Sequence, residues 1–121
     1  MAEVSVGELI DKMAVLEVKK EKLNSEEKLI QINKELSILK NICEEKLTDY
    51  EKWIAELKLV NNDLWEAVET LRRNLEKNSD REIIEASRQV EHFNYLRFKI
   101  KDKINDFYDS EIKEQKSYKE S

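Results

Sequence analysis

Few residues in this 121-residue chain have the types and spacing that chemistry requires. Glu66 with Glu69, and Glu82 with Glu85, are carboxylate pairs three residues apart. That spacing sets both acids on one side of a helix, where facing helices can hold a metal. A di-iron site also needs Glu-x-x-His, but the single histidine, His92, has Gln89 three places before it. A magnesium-dependent nucleotide pyrophosphatase would match Glu66-Ala67-Val68-Glu69 with a Glu-x-x-Asp on a neighbouring helix, and the sequence around 80–110 offers no convincing one. With 27 acidic residues such spacings arise by chance, so a solvated face is the expected role and no metal or other cofactor is expected. Cys43 falls on an apolar seam, where a thiol acts as a small hydrophobe and has no cause to ionise. No serine or cysteine is placed to pair with His92, and one glycine cannot make a phosphate-cradling loop. The chain is expected not to be an enzyme.

Three polar residues resist so plain an account. Asn61 stands in an apolar seam between Leu57 and Leu64, where a polar side chain fixes register or partner number. Asn94 and Arg97 lie close to another stripe, and a buried arginine needs a carboxylate, for which Glu17 or Glu69 is expected. The aromatics Trp53, Trp65, Phe93, Tyr95 and Phe98 exceed what one narrow seam can bury, so some are expected at an interface. The basic stretch from Arg97 to Lys103 spreads over more than half of a helix circumference and reads as a solvated face with snorkelling stems.

These residues must be positioned by helices. Proline is absent, and four capping signals punctuate the chain: Ser5 with Glu8, Asn24 with Glu27, Thr48 with Glu51, Ser79 with Glu82. Leu9, Ile10, Met13, Leu16 and Leu23, widened by Val15 and Val18, form one broad apolar face, and Val4 with Leu9 fits a hydrophobic staple. Leu29, Ile32, Leu36, Leu39 and Cys43 follow at coiled-coil spacing, and a second stripe runs from Leu47 through Tyr50, Ile54, Leu57, Asn61, Leu64, Val68 and Leu71 to Leu75. Two steps of four, Leu39 to Cys43 to Leu47, make a stutter at the Thr48 signal, so a break is predicted at 47–49. The last stripe joins Ile83, Ala86, Val90, Phe93, Ile100, Ile104 and Phe107. The expected fold is all-α: one domain, an antiparallel bundle of helices over 5–23, 25–46, 49–77 and 80–110, with a tail at 111–121. Its long third and fourth helices would project beyond the first two, and a second copy is expected to cover the overhang.

Charge and hydropathy limit the partners. The net charge of −5 is spread along the chain and offers no positive field for nucleic acid. No apolar run approaches the ~20 residues that span a bilayer, and Met1 to Ile10 lacks the apolar core of a signal peptide. A lone cysteine fits a reducing compartment, so a cytoplasmic protein is expected.

The opening Val4-Ser5-Val6-Gly7-Glu8-Leu9, then Asp11-Lys12 and Leu16-Glu17-Val18-Lys19, resembles that of an uncharacterised family of short bacterial and phage proteins. Val60-Asn61 with Leu64-Trp65, the 94–97 segment, and Glu114 with Lys116-Ser117-Tyr118 extend the resemblance over essentially the whole chain. It implies no assigned activity and points weakly to cell-surface polysaccharide or glycosyltransferase contexts. Glu26 stands where family members often carry proline, which softens that helix start. The resemblance marks Glu8, Asp11, Lys12, Asn61, Trp65, Asn94 and Arg97. Lys116, Ser117 and Tyr118 lie beyond the apolar stripe, so the tail is expected to dock on its own bundle or on a partner. The expected function is a non-enzymatic protein-interaction module that self-associates, a homodimer foremost, and binds a further protein. The alternative is a small-molecule or nucleotide-metabolite site around Asn61, Asn94 and Arg97.

Overall fold

The computed structural model describes residues 5–77 and 80–120, with side chains described over 5–77 and 80–109. Four helices account for almost all of it: α1 Val6–Lys22, α2 Glu26–Lys46, α3 Glu51–Lys77 and α4 Asp80–Glu120. The chain is an all-α bundle. Ser5 caps α1, its hydroxyl accepting from the Glu8 amide at 3.2 Å. Val4, the other half of the expected staple, and Ser79 lie outside the described residues. On α2 the cap is Ser25, which accepts from the Lys28 amide, rather than Asn24.

The break between α2 and α3 stands where the stutter and the Thr48 signal coincide, but its chemistry differs from a Thr48 cap. α2 closes on Leu47, whose amide donates to the Cys43 carbonyl at 2.8 Å. Asp49 takes the left-handed conformation, φ 52°, a region that short polar residues tolerate better than most. That residue turns the chain, so the first amides of α3, at Trp53 and Ile54, fall on the Tyr50 carbonyl and the helix begins at Glu51. The Thr48 carbonyl accepts from the Tyr108 hydroxyl at 2.7 Å, tying the turn to α4.

α3 and α4 form an antiparallel hairpin, with Trp53 against Phe107 at one end and Asn74 donating to the Glu82 carbonyl at the other. α1 lies across this hairpin and antiparallel to α4, since Gly7 meets Asn105, Glu8 meets Lys101 and Asp11 meets Arg97. α2 packs closely against α1 alone, so it is not the neighbour of α3 that a simple up-and-down bundle would make it. The core joins Ile10, Met13, Ala14 and Leu16 of α1 to Leu36, Cys43, Leu57, Ile100 and Ile104. Burial pushes the Cys43 thiol up, and its Sγ lies 3.5 Å from Met13 Sδ, as suits a small core hydrophobe.

One further difference concerns α4. It continues to Glu120, where a tail was expected from 111. The segment holds neither glycine nor proline and is rich in glutamate and lysine, so nothing in it ends a helix. The side chains of Lys116, Ser117 and Tyr118 lie outside the described residues. α1 does not reach the far end of the hairpin, so α3 and α4 project beyond it: Lys22, its last residue, pairs with Glu66. Beyond that pair the described parts of 67–92 make a two-helix arm in which only Ala67 and Ala86 are buried, while Leu75 and Ile84 are half exposed.

Gly7 is a point of close approach of α1 to α4. A Cβ there would stand 2.8 Å from the Lys101 carbonyl oxygen and 3.0 Å from Asn105 Oδ1, which already accepts from the Gly7 amide at 2.7 Å. Gly7→Ala is therefore expected to destabilise by about 1–2 kcal/mol in urea unfolding, because displacing backbone outweighs the gain of up to ~1 kcal/mol in helix propensity. Tyr50 supplies a pH signature. Its burial foremost, and then the negative charge of Glu44 that its hydroxyl meets at 3.3 Å, push the phenol up to about 12. The unfolded phenol ionises near ~10, so this contribution is whole below that pH and is lost as pH rises through the folded value. The urea midpoint should fall less steeply over that alkaline window in Tyr50→Phe than in the parent.

Candidate functional site

The polar centre of the molecule is Asp11. It sits on the apolar face of α1, four residues before Val15 and seven before Val18, and its side chain is 3% exposed. A carboxylate in such a place is costly unless its oxygens are filled. Both are. Oδ1 accepts from Asn61 Nδ2 at 2.9 Å and from Arg97 Nε at 3.0 Å. Oδ2 accepts from Arg97 Nε at 3.0 Å and from Arg97 Nη2, with the Lys101 ammonium 3.9 Å away. Lys101 itself pairs with Glu8 Oε1 at 2.8 Å. One acid of α1 thus gathers α3 and α4.

The structure therefore brings Asn61 and Arg97 together, but through Asp11 rather than through Glu17 or Glu69. Glu69 instead meets Arg72 one turn along its own helix, at 3.3 Å. Asp11 was legible as a lone acid among apolar positions, yet helical spacing alone does not say which acid an arginine on another helix will reach. Asn94 does not join the group: it is exposed and does not line the cleft described next. Arg97 spans the distance on a long stem, which the short Asn94 side chain lacks.

Beside this network, where α1 passes α3 and α4, opens a cleft of about 240 Å³. Asn61 and Arg97 contribute its polar surface, Val15, Val18, Leu64, Trp65 and Val68 its apolar walls, and the ion-paired Glu69 and Arg72 also line it. Trp65 is half buried, consistent with a wall residue. Tyr95 and Phe98 are 57% and 56% exposed, whereas Trp53 is buried with its ring against Phe107 and its indole N–H without a partner among the described residues.

The paired carboxylates noticed in the sequence stand in other company. Glu66 Oε1 accepts from Lys22 Nζ at 2.6 Å, and that hydrogen bond holds its carboxyl below the ordinary range. Glu82 and Glu85 are exposed near the far end of the hairpin. The cations of the basic stretch also part company: Arg97 and Lys101 turn inward to Asp11, Lys103 lies 3.7 Å from Glu56, and Lys99 lies over the Tyr95 ring.

The network carries stability as well as shape. Arg97→Ala would strand a buried carboxylate, so a loss of about 3–5 kcal/mol is expected, a large part of the ~5–15 kcal/mol that holds a domain together. The double variant Asp11→Leu/Arg97→Met, which removes both charges, should be markedly more stable than Arg97→Ala. Chemical denaturation of the parent and both variants checks this, and a double variant no more stable than Arg97→Ala would show that the stranded carboxylate is not what costs stability.

No curated protein and no solved structure matches the chain. A family model described as a family of unknown function, DUF6165, matches residues 1–121, and the chain belongs to that family.

Proposed function

We propose that this protein is a non-enzymatic helical interaction module that self-associates through the α3–α4 arm and thereby presents its bundle to a further protein partner. The observation that supports this reading is the open continuation of an apolar stripe. Asn61 and Arg97 are covered by α1. Val68 and Leu75 follow Asn61 at seven-residue steps, and Val90 and Ile83 precede Arg97 at the same steps. Heptad spacing keeps these positions on the side that faces α1 lower down. Leu75 and Ile83 lie past the last turn of α1, Val68 stands at the cleft beside Val18, and all four are half buried or exposed. Two such arms, packed antiparallel about a twofold axis, would restore a four-helix cross-section and hide both stripes. The second copy is the occupant that fits, because each arm supplies the two helices that the other lacks.

Leu75 is 51% exposed, so Leu75→Asp should cost the single chain little while placing a charge in the proposed dimer seam. Sedimentation at high micromolar concentration should give twice the 14.5 kDa chain mass for the parent and the chain mass for the variant. A parent that sediments only as single chains would overturn the proposal.

A further inference from the structure

We infer that the cleft between α1, α3 and α4 binds a small, neutral, planar group that presents a hydrogen-bond donor beside an acceptor on an aromatic ring, as an aryl carboxamide does. The argument begins with Asn61, which is only 5% exposed. Both hydrogens of its Nδ2 are committed, one to Asp11 Oδ1 and one to the Leu57 carbonyl, each at 2.9 Å. This fixes the amide, since reversing it would set Oδ1 against two acceptors. Asn61 Oδ1 therefore faces elsewhere, and among the described residues no donor reaches it. Asn61 Oδ1 is thus an acceptor that no described donor fills, on a residue that lines the cleft, and it is open to a donor entering there.

Arg97 supplies the complementary group. Its Nε and Nη2 are held by Asp11, and its Nη1 donates to no described residue. Asn61 and Arg97 meet on the same oxygen, Asp11 Oδ1, at 2.9 and 3.0 Å. An unpaired acceptor and an unpaired donor thus belong to two residues that share one oxygen of Asp11 and line one cleft, a pattern that a ligand carrying both a donor and an acceptor would meet.

Charge and size narrow the class. Asp11 cancels Arg97, and Glu69 is paired with Arg72, so no uncompensated cation awaits a phosphate or carboxylate. The walls are valine, leucine and the Trp65 ring. At about 240 Å³ the space exceeds the ~150 Å³ that accepts a benzene, yet falls below the ~300–1,000 Å³ of sites for larger ligands. A ring with one amide fits; a nucleotide does not.

The probes are benzamide, benzoate and toluene, added to the full chain and followed through the Trp65 indole and Asn61 side-chain amide resonances. Benzamide should bind saturably, and benzoate and toluene at least about tenfold more weakly, since each lacks the donor that Asn61 Oδ1 requires. Val15→Trp, which fills the cleft, should abolish binding, and Trp65→Ala should weaken it even if Val15→Trp fails to fold. Leu75→Asp, far from the cleft, should bind as the parent does, so loss of self-association and loss of this site are read separately. Benzoate equal to benzamide, no saturation by benzamide, or unchanged binding in Trp65→Ala would overturn the inference.

Discussion

The structure depends on a single buried negative charge. Asp11 is placed by α1 on its own apolar face, and the three helices around it are arranged so that it is never left alone. Arg97 grips both of its oxygens from α4, and Asn61 fills the remaining lone pair of Oδ1 from α3. Hydrophobic burial would accept many orientations of α1 across the hairpin, because leucine against isoleucine is not directional. A carboxylate that needs a guanidinium in one direction and an amide in another accepts few. The network therefore specifies where α1 lies, and through α1 it also locates α2.

Around that point, side-chain size settles the spacing of the helices. Gly7 lets α1 approach α4 until its amide reaches Asn105, and the small Ala67 and Ala86 are the residues buried where the described arm closes on itself. The cleft follows from the same arrangement. α1 makes its buried ion pair at Asp11 and is finished by Lys22, whereas α3 and α4 continue as one hairpin. The gap left beside the last turns of α1 is lined by whatever the seam already carried, which is valine, leucine and tryptophan around one asparagine and one arginine.

Much of this was written in the sequence. Apolar periodicity and the absence of proline specify helices, and the stutter at Cys43 marks the break that divides one apparent coiled coil into α2 and α3. Asn61 announces itself as a polar residue in an apolar seam. Other features were illegible for physical reasons. A seam shows that a helix has one buried face but not what covers it, so the attachment of α2 to α1 alone was hidden. Thr48 and Ser5 look alike as caps, yet the left-handed Asp49 shifts the start of α3. The choice of Asp11 over Glu17 or Glu69 rests on the angle at which helices cross, and spacing within one helix carries no record of that angle.

The closure of Asp11 also has a temporal side. Its arginine stands 86 residues downstream, and Gly7 finds Asn105 at a separation of 98. The ends of the chain thus hold its middle together, a topology whose loop-closure cost precedes its reward. Synthesis runs from the N-terminus, so α1 and α2 are made with an acid on the face to be buried before Asn61 and Arg97, its folded partners, exist. An ionised carboxylate without a partner opposes its own burial, so that face of α1 is costly to cover before α4 exists. Only when α4 has been made does the charge that opposed burial become the contact that requires it.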